Sequence, residues 1–165
     1  MQSLFGSKLQ TQAGPVDTAA ALSGKGHVGI YFSAHWCPPC RGFTPKLAEW
    51  YNANAEKLGM EIVFVSSDKD AGQFDEYFGE MPWAALPFAE RDLKASLSKK
   101  FKVNGIPAFV IVDGNGNLVT DKGRNGLASD PTALSFPWAP KTFGDIFTGP
   151  LVKDGAAAPN GPLVP

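Results

Sequence analysis

Cys37 and Cys40 are the chain's only two cysteines, and they sit in one short run, Trp36-Cys37-Pro38-Pro39-Cys40. Thiols at this spacing can hold a metal, staple the chain, or exchange electrons as a dithiol–disulfide pair. Structural zinc takes about four ligands, usually two such pairs or cysteine with histidine. No second pair exists, and the only histidines are His27 and His35, so no metal is expected. A bridge closing so short a loop restrains the unfolded chain little and makes a weak staple. Redox chemistry is the favoured reading.

The flanking residues point the same way. Val28, Ile30, Tyr31 and Phe32 lead in as a buried strand. Pro38 and Pro39 suit the first turn of a helix, where backbone N–H groups lack partners in any case. Cys37 then stands at a helix N-terminus, where the dipole and the free N–H groups favour a thiolate. It should be the nucleophile and the more exposed sulfur, and Cys40, inside the first turn, the more buried one. Trp36 should shield the sulfurs from bulk water and offer substrate an apolar platform.

The segment Phe32-Ser33-Ala34-His35-Trp36-Cys37-Pro38-Pro39-Cys40-Arg41-Gly42-Phe43-Thr44-Pro45 resembles the active-site segment of the nucleoredoxin and tryparedoxin branch of the thioredoxin superfamily. The Pro-Pro pair and the following Arg-Gly-Phe-Thr-Pro mark that branch. Met81-Pro82-Trp83 with Leu86-Pro87-Phe88, then Val103-Asn104-Gly105-Ile106-Pro107, then Phe136-Pro137-Trp138 are similar to its later landmarks, in the same order. The resemblance covers about residues 20–140. It implies an α/β thioredoxin fold, a central mixed β-sheet flanked by helices on both faces. It also implies a cis bond at Ile106-Pro107, facing the cysteines and presenting the Ile106 backbone to a bound peptide.

Composition fits one folded domain. The chain has 165 residues, 44% apolar residues and a net charge of −1. Neither a nucleic acid nor an anionic membrane is expected as a partner, because both favour basic patches. No apolar run approaches the ~20 residues of a membrane span, and the N-terminus lacks a basic start followed by an apolar core. Two cysteines without further bridges suit a reducing compartment, the cytoplasm or also the nucleus. The domain is expected over 1–138 and a Pro/Gly/Ala-rich tail over 139–165, in a monomer.

Apolar patterning predicts an edge strand over about 4–11, a short helix over Val16–Leu22 and a strand over 27–33. A long helix should run from Pro38 to Leu58 and stop at Gly59. A buried strand follows over 61–67, then helices near 70–80 and 90–101. A strand over 108–112 should turn at Asp113-Gly114-Asn115-Gly116 into 118–120. A short helix is expected near 130–135.

The expected mechanism is attack of the Cys37 thiolate on a disulfide, then resolution by Cys40, which leaves a Cys37–Cys40 disulfide. Tyr31 lies six residues before Cys37, where thioredoxin carries a buried acid. The tyrosine matches the nucleoredoxin and tryparedoxin pattern, and a phenol is a poor base near neutral pH. His35 and Glu90 are candidates to help Cys40 with its proton. Ser67-Asp68 stands where tryparedoxins carry Trp-Asp, which shifts the resemblance towards nucleoredoxin. Arg124 reads as a solvated loop arginine.

The function expected is reduction of disulfide-containing protein substrates without a bound cofactor. Electrons would come from an upstream thiol reductase system, an external NADPH-linked reductase or a low-molecular-weight thiol. The alternative is a redox-regulated binding module whose affinity depends on the Cys37–Cys40 disulfide. A peroxidase is disfavoured, because the Pro-Pro spacer does not look like a peroxidatic loop.

Overall fold

Three apolar runs, at 27–33, 60–66 and 108–113, have no polar face to turn to water and become the inner strands of a sheet covered on both sides. The computed structural model describes residues 2–139. Its elements are α1 (Gln2–Phe5), β1 (Lys8–Thr11), β2 (Gly14–Asp17), α2 (Thr18–Leu22), β3 (His27–Ser33), α3 (Pro38–Leu58) and β4 (Met60–Ser66), then α4 (Ala71–Phe78), β5 (Ala84–Ala85), α5 (Arg91–Lys100), β6 (Ala108–Asp113), β7 (Leu118–Thr120) and α6 (Gly123–Ser129). The tail expected from residue 139 lies, Ala139 apart, outside the described residues.

The strands form one mixed sheet in the order β2-β1-β5-β4-β3-β6-β7. β3 runs parallel to β4 and antiparallel to β6, with Tyr31 opposite both Phe64 and Phe109. Alternate residues feed two cores. On one face Tyr31, Ile62, Phe64, Phe109 and Ile111 pack with Leu47 and Trp50 of α3 and Phe74 and Tyr77 of α4. On the other Val28, Ile30, Phe32, Val63 and Val110 pack with Phe5, Leu22 and Leu97. Helices therefore cover both faces, and the sheet delivers the end of β3 to the middle of one edge.

Four local expectations need correction. The stretch 4–11 is not one edge strand: Leu4 and Phe5 belong to α1, the chain turns at Gly6 (φ +74°), and β1 starts at Lys8. Phe5 is fully buried in the second core, which draws that turn inward. The outer position belongs to β2, because Gly14–Asp17 pairs with β1 as a hairpin and leaves only Thr18–Leu22 of the expected helix helical. β5, two residues long, pairs with β4 and meets β1 through Gln10 and Ala85. No helix covers 130–135. The Asp130 carboxylate instead accepts Leu134 N–H, Ser135 N–H and the Trp138 indole N–H at 2.7–3.0 Å. The helix in this region is α6.

The long helix α3 follows expectation at both ends. Pro38 and Pro39 open it, and Gly59 closes it in the left-handed conformation (φ +63°), donating to the carbonyls of Ala55 and Glu56. In the core that it covers, the Phe109 ring fits only because Gly29 and Gly123 lack side chains. A β-carbon at Gly29 would lie 2.4 Å from Phe109 Cε1, and one at Gly123 would lie 2.6 Å from Phe109 Cδ2.

Gly29→Ala should therefore destabilise the fold by about 1–3 kcal/mol, as overpacking does. Gly42→Ala, on the exposed side of α3 with nothing within 4 Å of a new carbon, should stabilise it by about 0.5–1 kcal/mol. Urea unfolding of both variants checks this. A Gly29→Ala protein as stable as wild type would show that Phe109 has room to move.

Candidate active site

The chain leaves β3 at Ser33 and enters α3 at Pro38, and the intervening turn carries the sulfur chemistry. Cys37 occupies the N-cap position with extended backbone (φ −98°, ψ 109°). Its carbonyl accepts Arg41 N–H at 3.0 Å and its own N–H donates to Ala34 O at 3.2 Å. The Cys37 side chain thus sits where the unpaired N–H groups and the positive end of the helix dipole concentrate. The sulfurs are joined as a disulfide with Cα atoms 5.2 Å apart. Cys37 is 6% exposed and Cys40 fully buried. Pro38 and Pro39 are exposed at the helix start.

Trp36 is 49% exposed, so it is no core aromatic. Its indole N–H donates to Ser67 O at 2.9 Å, and Lys69 Nζ lies 5.8 Å from the ring centroid. Facing the sulfurs from the other side is the loop before β6. The Ile106-Pro107 peptide bond is cis, the Ile106 side chain packs on Ala34, Cys37 and Cys40, and Ile106 O lies 3.9 Å from Cys37 Sγ. Arg124 is exposed, as expected, but stands on α6 rather than a loop and also supports the cis-proline segment. Its Nη1 donates to Pro107 O at 3.0 Å, and its guanidinium lies over Phe43 at 5.6 Å.

The turn is anchored by residues that sequence reasoning did not assign. Asp68, 5% exposed, accepts His35 N–H at 2.6 Å through Oδ1 and the Ser66 hydroxyl at 2.7 Å through Oδ2. Arg91 reaches from α5, with Nη1 donating to Ser66 O at 2.9 Å and Nε donating to Phe88 O at 2.6 Å. Burial lowers the Arg91 pKa, and the opposing pull of Asp68 partly restores it. The one hint in the sequence was Asp68 beside Ser67, two residues after a buried strand run.

Beneath Cys40 lies a cluster of hydroxyls. Thr44 Oγ1 donates to Cys40 O at 3.0 Å and is 2.7 Å from Tyr31 OH. Thr44 Oγ1 also contacts Tyr77 OH, which is 2.7 Å from Ser33 Oγ. Thr44 has one proton, so if it points to Cys40 O, both phenols donate to Thr44 and Ser33 donates to Tyr77, leaving every hydroxyl proton placed. Tyr31 is fully buried, and its phenol is pushed well above the ordinary tyrosine range, mainly by burial and then by Tyr77. It remains neutral and so provides no base.

His35 is brought to the site by its backbone more than by its ring. The ring stacks on Tyr77 with centroids 5.3 Å apart, and Nδ1 is 4.0 Å from Glu76 Oε1. Glu90 is exposed and sits just before α5. Among the described residues no group of three or more His, Cys, Asp or Glu side chains is placed to hold a metal ion. No described helix is long and apolar enough to cross a membrane.

A cysteine pair at a strand-to-helix turn, faced by a cis-proline loop in a mixed sheet, defines a class that known proteins share. The family model described as thioredoxin-like matches residues 26–118. The chain is 45% identical over 126 residues to probable nucleoredoxin 1 of Arabidopsis thaliana, covering 76% of this chain and 22% of that protein. It is 40% identical over 133 residues to tryparedoxin of Trypanosoma brucei brucei, covering 80% of this chain and 91% of that one. The solved structure of tryparedoxin II complexed with glutathionylspermidine matches with a TM-score of 0.78 at 40% identity, covering 81% of this chain and 93% of that chain. The chain belongs to the thioredoxin-like family of oxidoreductases, in its nucleoredoxin and tryparedoxin branch. It spans 22% and 29% of the length of the Arabidopsis thaliana and Danio rerio nucleoredoxins.

One buried and one partly buried phenol make stability fall at high pH. Tyr31 and Tyr51 both have raised folded-state pKa values, chiefly from burial, with Glu61 adding to the effect at Tyr51. The stability they contribute as neutral groups is complete below their unfolded pKa of about 10 and is lost as pH rises above it. Urea midpoints should drop above about pH 10, and Tyr31→Phe should flatten that drop. A folded-state phenolate signal from Tyr31 at about pH 10 would contradict the buried assignment.

Proposed function

We propose that this protein reduces disulfides in protein substrates. The Cys37 thiolate attacks one sulfur of the substrate disulfide, forming a Cys37–substrate bond and releasing the other sulfur as a thiolate that takes up a proton. Cys40 loses its proton and attacks Cys37 Sγ. The Cys37–Cys40 disulfide forms, the substrate leaves as a dithiol, and the two electrons have passed to the substrate. The carrying observation is the asymmetry of the pair: Cys37 reaches the surface at a helix N-terminus, whereas Cys40 is fully buried behind it.

Trp36 and the Ile106 backbone supply the two sides of a docking groove, an apolar face and a hydrogen-bonding edge. His35 keeps the turn in place through its N–H, and Tyr31 and Thr44 hold the first helical turn. Return to the dithiol needs an external donor, an NADPH-linked thiol reductase or a small thiol, and a reducing compartment suits that cycle. Every group in the scheme comes from one chain, so a monomer suffices.

The test is turnover of insulin disulfide, with NADPH supplied in parallel through thioredoxin reductase and through glutathione with its reductase. Activity with either donor, abolished in Cys37→Ser, is expected, and Cys40→Ser should accumulate substrate-linked mixed disulfides. Reduction that persists in Cys37→Ser assigns the wrong nucleophile. Inactivity with both donors and with dithiothreitol would favour a binding module gated by the Cys37–Cys40 bond.

A further inference from the structure

The dipeptide Asn-Gly occurs at 104–105, 115–116, 125–126 and 160–161, the last outside the described residues. Asparagine is among the chemically labile residues. When glycine follows it, the next backbone nitrogen can reach the side-chain amide carbon with no β-carbon in the way.

At two of the three described sites that nitrogen is engaged. Gly116 N–H donates to Asp113 O at 3.0 Å within a tight turn. Gly126 N–H donates to Lys122 O at 3.0 Å inside α6, where a β-carbon at Gly126 would strike the Trp138 ring at 2.3 Å. At Asn104-Gly105 neither the Gly105 N–H nor the Asn104 amide has a hydrogen-bond partner among the described residues. Both residues are exposed, and nothing lies within 4 Å of a carbon built at Gly105.

We infer that Asn104 is a site of spontaneous deamidation that alters the loop facing Cys37. The Gly105 nitrogen bonds to Asn104 Cγ, and the side-chain nitrogen leaves as ammonia with the proton from Gly105. The resulting succinimide ring is opened by water at either carbonyl. One opening leaves aspartate. The other leaves isoaspartate, with the main chain rerouted through the former side chain. No electrons move, and water is the only co-reactant. Either product sets a carboxylate two residues before Ile106, whose carbonyl lies 3.9 Å from Cys37 Sγ. Negative charge there opposes the Cys37 thiolate, and isoaspartate also lengthens the backbone into that loop. The consequence for exchange rests on Cys37 being the nucleophile; the modification itself does not.

The purified full chain is held at mildly alkaline pH and physiological temperature, and its peptides are mapped by mass over time, with isoaspartate counted by enzymatic methylation. Among the three described sites modification should concentrate at Asn104, about tenfold faster than at Asn115 or Asn125, which must first open locally, with the peptide carrying Asn160 counted separately. Gly105→Ala, whose methyl meets open space, should slow it by a similar factor. Equal rates at the three described sites, or an unmodified Asn104, overturn the inference.

The consequence is read separately as exchange of Cys37 with a small disulfide. Asn104→Asp should lower the rate about threefold near neutral pH, as one exposed like charge on the facing loop does. Wild type should lose rate in step with its modified fraction, while Asn104→Ser holds its own starting rate. An unchanged rate in Asn104→Asp overturns the consequence. A wild-type chain with no exchange at all sinks the reductase reading instead and leaves the peptide map to judge this one.

Discussion

The Asp68 carboxylate accepts the His35 backbone N–H at 2.6 Å, and this bond sets the angle at which the chain passes from the end of β3 into α3. Everything chemical about the site depends on that angle. It brings Cys37 to the unpaired N–H groups at the start of the helix, lays the Trp36 indole across Ser67 O, and leaves Ile106 O facing the sulfur. A charged acceptor is well suited to the task, because charge-assisted bonds are shorter and stronger than neutral ones. The burial of Asp68 is offset by two further partners, the Ser66 hydroxyl and the field of Arg91.

The same region shows how neutral groups can occupy a place where related folds keep a charge. Tyr31, Thr44, Tyr77 and Ser33 form a closed set of hydroxyls around the Cys40 carbonyl. Buried hydroxyls are costly when unpaired and nearly free when matched, so the set specifies one packing of α3 and α4 on β3. It also keeps a negative charge away from the buried sulfur. Proton movement at Cys40 is therefore not served by an internal carboxylate beneath it.

Much of this was legible in the order of residues. The cysteine pair, the prolines that open α3 and the glycine that closes it act through their own covalent geometry or over a few neighbouring bonds. The apolar runs of β3, β4 and β6 declared a sheet buried on both faces, since nothing else hides so many consecutive apolar side chains. The resemblance of four ordered segments then pointed to the thioredoxin-like family, which the comparisons bear out. The N-terminal hairpin was not legible, because β1 and β2 are short and polar and are held by distant partners, Gln12 Nε2 donating to Phe78 O and Met81 O. The expected helix at 130–135 does not form, because the Asp130 side chain bonds N–H groups that a helix would have used.

The sequence by itself determined the reactive element: which residues carry sulfur, how far apart they stand, and that a helix must begin between them. Those are local properties of neighbouring residues. Only the tertiary structure decided what surrounds the element. Asp68, Arg91, Tyr77 and Arg124 come from the β4–α4 loop, α5, α4 and α6, and each becomes part of the site through a hydrogen bond or a stacking contact spanning many residues of chain. Such contacts leave no periodic mark in a sequence, because their geometry exists only after the sheet has brought separate segments side by side.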